Sequence, residues 1–210
     1  MNIDKYDTII LDCDGVIFDS NFLKIEAFSS TFEELDFNKI HIDKFINFMK
    51  NNFGISRYRF AEYFIVDILK RNFDKILFEK IIKLYSKKSY ELYLKATFTK
   101  NLLEFLEKYK HKNLFIASGG DEKELNEIFK IRKIDKYFRT IYGSPKKKND
   151  IVKEIVEEYN NSVMIGDAKS DVLAAKEAGI DFVFMREYST NKKIEKEYNL
   201  KNINNLGDLI

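Results

Sequence analysis

Asp12 and Asp14 stand two residues apart, directly after the apolar run Thr8-Ile9-Ile10-Leu11 and directly before Gly15. On an extended chain that spacing sends both carboxylates to one side and Cys13 to the other, so two acids can share one pocket. A pair of this kind suits attack by one carboxylate with proton transfer by the other. Taken alone, the same residues also fit a strand that ends in a polar turn, with Asp14-Gly15 as the turn.

Three further segments carry groups able to do chemistry. Gly166-Asp167-Ala168-Lys169-Ser170-Asp171 follows the apolar run Ser162-Val163-Met164-Ile165 and precedes a helical pattern, where an acid can also serve simply as a helix cap. Ser118-Gly119-Gly120 follows Leu114-Phe115-Ile116-Ala117 and offers a hydroxyl and small-residue backbone N–H groups to an anion, although paired glycines also make ordinary turns. Lys146-Lys147-Lys148 follows Gly143-Ser144-Pro145, whose proline is the only one in the chain and fixes a turn ahead of the next helix. A lysine run by itself is usually a solvated surface.

The elements behind these segments explain how they can meet. The apolar runs, with Phe182-Val183-Phe184-Met185 and the weaker Thr140-Ile141-Tyr142, read as about five buried strands. Between them, Leu125, Ile128 and Phe129 share one helical face, as do Ile151, Val152, Ile155, Val156 and Tyr159. Asp121 with Glu124 three residues on resembles a capping box, and Gly179 ends the helix that carries Ala174, Ala175 and Ala178. Strands alternating with helices across short loops predict an α/β fold, a doubly wound parallel sheet. In such a sheet ligands bind outside the carboxyl ends of the strands, and all four segments sit at those ends.

Residues 18–95 break the alternation. They show long helical periodicity, no convincing strand, and 17 of the 31 Phe and Tyr residues, which predicts an all-helical insertion. The expected organisation is an α/β core from 1–17 and 96–210 with the helical unit at 18–95. Aromatic stripes such as Phe60, Tyr63 and Phe64 read as the core of that small bundle.

Bulk properties narrow the partners. Lysine plus arginine number 36 against 34 acids, so the net charge of +2 carries no basic excess of the kind that marks a nucleic-acid surface. No stretch approaches the roughly 20 apolar residues of a membrane span. The single cysteine, Cys13, cannot form an internal disulfide, and the opening residues lack the layout of a secretory signal, so a cytoplasmic location is expected. His41 and His111 form no recognisable pairing with a partner acid or serine in sequence, so surface or core packing is expected of each and no part in the chemistry.

The segments DCDGVIFDS, IASGG, GSPKKK and GDAKSD resemble the four motifs of the haloacid dehalogenase-like hydrolase superfamily and span Asp12 to Asp171. The resemblance implies a Rossmann-like core with a helical cap. It also implies Asp12 as nucleophile, Asp14 as general acid/base, and Ser118, Gly119 and a lysine as phosphoryl binders. Lys148 matches the lysine position best, with Lys146 and Lys147 close enough to compete. Asp12, Asp14 (through its backbone carbonyl), Asp167 and Asp171 are implied to hold the metal. Carboxylates about 4 Å apart repel by about 4 kcal/mol per pair at an effective dielectric of 20, so gathering several requires a cation, and hard Mg²⁺ suits them.

An acid at Asp14 favours phosphoryl transfer over the dehalogenase chemistry of the family, in which no leaving alcohol needs a proton. A cap over the site implies a small organophosphate substrate such as a phosphosugar. Within the insertion, Asn52-Phe53-Gly54-Ile55-Ser56-Arg57 interrupts the helical pattern where the family's cap reaches the site. Arg57 there suits a substrate anion, though an arginine at a helix start can equally stand exposed. The expected function is thus a Mg²⁺-dependent phosphatase. Alternatives are a sugar phosphomutase on the same scaffold and a non-catalytic partner-binding protein; oligomeric state is not legible.

Overall fold

The computed structural model describes residues 2–210. Six parallel strands form one sheet in the order β3-β2-β1-β4-β5-β6: β1 Thr8–Leu11, β2 Asn113–Asp121, β3 Thr140–Ser144, β4 Ser162–Gly166, β5 Asp181–Met185 and β6 Asn202–Ile203. The order reverses direction beside β1, the topological switch point at which doubly wound sheets open a crevice for ligands. The five expected strands are present, and the sixth, only two residues long, lies at the edge.

Alternation along the strands divides the buried side chains between two faces. Ile9, Leu11, Ile116, Val163 and Ile165 pack with Phe105 and Leu106 of α5 (Leu102–Tyr109) and Leu125, Ile128 and Phe129 of α6 (Glu122–Ile131). Ile10, Phe115 and Met164 pack on the other face against α7 (Lys148–Glu158) and α8 (Lys169–Glu177). A short α9, Lys193–Glu197, lies near the C-terminus. Covering both faces with helices is what permits strands as apolar as TIIL, in which every residue is buried.

Between β1 and α5 the chain is helical: α1 Asn21–Glu34, α2 Lys39–Asn51, α3 Arg57–Tyr63 continuing into a π-helical turn at Phe64–Ile68, and α4 Lys75–Lys95. Phe28, Phe32, Phe45, Phe60, Phe64 and Tyr85 form its separate aromatic core, with Phe28 stacked on Tyr85 and Phe32 on Phe64 at 3.7 Å between ring centres. Tyr63 lies outside that buried set but stacks on Phe48 at 3.5 Å. Ala168, from the loop after β4, packs into the same cluster, so the helical segment rests on the sheet's carboxyl rim.

Two local expectations differ in detail. Ser118-Gly119-Gly120 belongs to β2, which runs on to Asp121, with a shift of register against β3 between Ala117 and Asp121. Asp121 does cap α6, accepting from the backbone N–H groups of Lys123 and Glu124, but the Glu124 carboxylate is bonded to Arg57 instead of returning to the cap. A bidentate guanidinium outcompetes a lone backbone donor for a carboxylate. Gly179 ends α8 with φ +69°, as a helix-terminating glycine does.

Candidate active site

β1 and β4 are neighbours, so the residues that leave their carboxyl ends, Asp12 and Asp167, emerge side by side. Asp12 N–H still donates to Ile165 O at 3.0 Å, which fixes the strand end, and Cys13 N–H donates to Asp12 Oδ1 at 2.7 Å. Asp171, in the first turn of α8, accepts through Oδ2 from the N–H groups of Asp167 (3.2 Å) and Ala168 (2.9 Å). It therefore caps its helix while turning Oδ1 towards Lys148, whose Nζ also lies 2.9 Å from Asp12 Oδ1. Carboxylate oxygens of Asp12, Asp167 and Asp171 all lie within 4.8 Å of one another and are buried.

The electrostatics follow from that crowding. Burial, then the neighbouring Asp171 carboxylate, pushes the Asp12 carboxyl up to about 7 despite the opposing ammonium of Lys148. Asp167 is raised well above the usual carboxylate range by burial and by Asp12 and Asp171. Burial alone would lower Lys148, but the two carboxylates outweigh it and its pKa rises. With all three carboxylates ionised against one ammonium the formal charge is −2 in a buried place, which is why the metal-free site favours protons on Asp12 and Asp167. A divalent cation cancels that charge, and oxygen atoms this close are spanned by two metal–oxygen bonds of roughly 2.1–2.6 Å, so the donor set fits a hard ion.

Asp14 takes different partners. Its Oδ1 accepts from Ser20 Oγ at 2.6 Å and Tyr93 Oη at 2.7 Å, and its Oδ2 pairs with the Lys24 ammonium. Burial would raise its pKa, but Lys24 and the two hydroxyl donors outweigh that and lower it. The side chains of Asp12 and Asp14 thus share one site while facing separate cations.

Ser118 is buried, and its Oγ accepts from Gly120 N–H at 3.0 Å. Of the three lysines, Lys148 is buried against the carboxylates, Lys146 pairs with Glu154 and Lys147 is exposed. Arg57 is buried rather than exposed. It grips Glu124 through two bonds of 2.8 and 2.6 Å, donates to Ser86 Oγ at 2.5 Å, and lies over the Tyr85 ring.

The helical segment reaches the site through Phe53-Gly54-Ile55. Ser170 Oγ donates to Phe53 O at 3.0 Å, and a Cβ on Gly119 would stand 2.5 Å from Gly54 O, so glycine at 119 is what admits this loop. Gly54 itself has φ +86°, and a side chain there would overlap Ser170 Oγ. The space left beside Asp14, among Lys24, Arg57, Phe60 and Tyr85, is about 20 Å³, room for about one water. A larger cleft of about 540 Å³ opens outside the loop and borders Gly119, Lys148 and Ser170.

Sequence reading overlooked Ser20, Asn21, Lys24 and Tyr93. Asn21 Nδ2 donates to Asp167 Oδ2 at 2.6 Å, and with Ser20 and Lys24 it forms the start of α1. Ser20 closes the segment DCDGVIFDS and Asn21 follows it, with Lys24 three to four residues further on, the spacing of neighbours on one helix face; Tyr93 carries no such signal.

Several solved structures share this architecture. A protein described as a haloacid dehalogenase-like hydrolase, from Bacteroides fragilis, superposes with a TM-score of 0.78 at 20% identity, covering 98% of this chain and 100% of its own. One described as a phosphoglycolate phosphatase, from Haemophilus somnus, gives 0.76 at 17% identity, with 97% and 96% covered. A β-phosphoglucomutase from Clostridium difficile gives 0.76 at 19%, with 98% and 93% covered. No curated protein sequence matches the chain. Among the described residues no helix is long and apolar enough to cross a membrane. The family model for haloacid dehalogenase-like hydrolases matches residues 9–185, which run from within β1 to the end of β5 and include every carboxylate of the site, and the chain belongs to that family.

Proposed function

We propose that this protein is a Mg²⁺-dependent phosphatase that hydrolyses a small phosphorylated metabolite. The observation that carries the reading is the buried, net-negative cluster of Asp12, Asp167 and Asp171 held against Lys148 at the carboxyl ends of β1 and β4. A phosphate dianion enters such a place only with a cation beside it and an ammonium to meet it.

In this reading Asp12 attacks phosphorus, the bond to the leaving oxygen breaks, and an aspartyl phosphate forms. Asp14 donates a proton to the leaving oxygen and then takes one from the water that cleaves the intermediate. For that, Asp14, which Lys24 holds ionised, must exchange this contact for the substrate and take up a proton from solvent before it gives one to the leaving oxygen. Lys148 holds a phosphoryl oxygen, and the Ser118 hydroxyl with the Gly119 backbone N–H supplies further donors. Asp12, Asp167 and Asp171, with the backbone carbonyl of Asp14, would hold Mg²⁺, whose positive charge lowers the repulsion between nucleophile and phosphate.

We read residues 18–95 as a cap on a core formed by 1–17 and 96–210. The Phe53-Gly54-Ile55 contact with Gly119 and Ser170 supports this reading, and closure of such a cap excludes water during transfer. Arg57 belongs to the same cap, and its contact to a substrate anion requires release from Glu124.

The test is a panel of small organophosphates with Mg²⁺, followed both for free phosphate and for isomerised ester. Free phosphate from one or more members, lost in Asp12→Asn, is expected. Isomerised product without free phosphate would make the protein a mutase, and inertness across the panel with and without Mg²⁺ would favour a binding protein.

A further inference from the structure

Among the residues that fasten the start of α1 to the candidate metal site, Asn21 has no role in the chemical steps proposed above. Asn21 is 1% exposed, and its Nδ2 donates to Asp167 Oδ2 at 2.6 Å and to Tyr188 O at 3.1 Å. Both partners are acceptors, which settles the orientation of the amide: its NH₂ faces them and its Oδ1 does not. That Oδ1 has no partner, one of only two buried side-chain polar atoms so placed among the described residues. A buried acceptor beside an acidic cluster is ordinarily filled by a donor such as water.

The surroundings are built around this contact. Gly15, with φ +74°, lies so close that a Cβ would stand 2.5 Å from Asp167 Oδ2 and 2.7 Å from Asn21 Nδ2. Ser189 Oγ donates to Asp167 O at 2.6 Å and braces the same residue from behind. Asn21 thus occupies one oxygen of Asp167 and leaves the other for the cluster.

We propose that Asn21 is a positioning residue of the metal site: it fixes the Asp167 carboxylate for the ion and offers its free Oδ1 to a water that a hard divalent ion retains. Because Asn21 opens α1, binding of the ion and docking of α1 on the core are coupled, and each strengthens the other. This rests on the reading that the cluster takes Mg²⁺, and the experiment separates the two.

Mg²⁺ is titrated calorimetrically into wild-type protein, Asn21→Leu and Asn21→Ser, and amide hydrogen exchange of Phe22–Lys24 is followed with and without Mg²⁺. Loss of the Asn21 amide is expected to weaken Mg²⁺ binding about 10- to 100-fold, with Asn21→Ser between wild type and Asn21→Leu. Mg²⁺ is expected to slow exchange at those amides in wild type and not in Asn21→Leu. A wild type that binds no Mg²⁺ overturns the metal reading and this proposal with it. A wild type that binds Mg²⁺, with folded Asn21→Leu within twofold of it or with exchange in α1 unchanged by the ion, overturns this proposal alone. The exchange measurement on wild type decides the coupling even where a variant does not fold.

Discussion

Lys148 Nζ lies 2.9 Å from Asp12 Oδ1 and bonds Asp171 in the same buried space, so one ammonium serves two carboxylates that come from opposite ends of the chain. Each side chain is 4% exposed or less, which removes the solvent screening that makes surface pairs weak.

Replacing that lysine separates charge balance from catalysis. Lys148→Met leaves three buried carboxylates without their ammonium, so the metal-free protein is expected to lose stability while Mg²⁺ binding is kept or tightened. Turnover is expected to fall about 10²- to 10³-fold, as when one preorganised donor to a transition state is removed. Melting curves in chelator and in Mg²⁺, beside steady-state rates, check this. A variant with full turnover would remove Lys148 from the phosphoryl site.

Asp12→Asn removes the proposed nucleophile and one of the repelling charges together. Turnover is expected to vanish while the metal-free variant melts no lower than wild type, since a neutral amide at 12 removes both the burial of a charge there and its repulsion of Asp167 and Asp171. Rate measurement paired with thermal melting in chelator tests both halves. Retained activity would exclude Asp12 as the attacking group.

The difference between what could and could not be read beforehand is physical. Asp12, Asp167 and Lys148 are legible because a parallel sheet delivers every strand's carboxyl end to one rim, so position after an apolar run already implies proximity. Asn21, Lys24 and Tyr93 reach the same place from helices, and helix periodicity fixes which face they share but not what that face docks against. Burial of Arg57 was equally hidden, for it depends on Glu124, 67 residues away. The extension of β2 through Ser118-Gly119-Gly120 depends on pairing of Asp121 with Ser144, which no local pattern in the chain encodes.

The pH dependence of the metal-free protein has a definite sign. Asp12 is raised from 3.8 to about 7 and Asp167 is raised as well, so between these values the folded state binds more protons than the unfolded one. Stability from Asp12 is fully present below about 4 and is lost as pH rises through about 7, and Asp167 acts in the same direction. Asp14, lowered in the folded state, works the other way, but its contribution is complete once pH exceeds its unfolded value of 3.8. In chelator, stability is therefore expected to fall between pH 5 and 7.5, and Mg²⁺ affinity to rise over the same range because protons leave the carboxylates it needs. Urea melts and Mg²⁺ titrations at the two pH values check this, and a metal-free stability that rises across the window would contradict it.

The clasp between Arg57 and Glu124 joins α3 to α6 and so ties the helical segment to the sheet layer. The arginine side chain is 4% exposed and the glutamate 24%, so breaking the pair strands the more buried charge. Glu124→Ala is expected to cost about 2–3 kcal/mol, less than the roughly 3–5 kcal/mol of a fully buried pair because Glu124 retains some water. Ser86 and the Tyr85 ring still hold the guanidinium in that variant, which keeps Arg57 near its place. Replacing both partners, Arg57→Leu with Glu124→Leu, removes the stranded charge and is expected to recover most of the loss. A urea-denaturation double-mutant cycle measures the coupling. A Glu124→Ala change within about 0.5 kcal/mol of wild type would show that the two layers are held together without this pair.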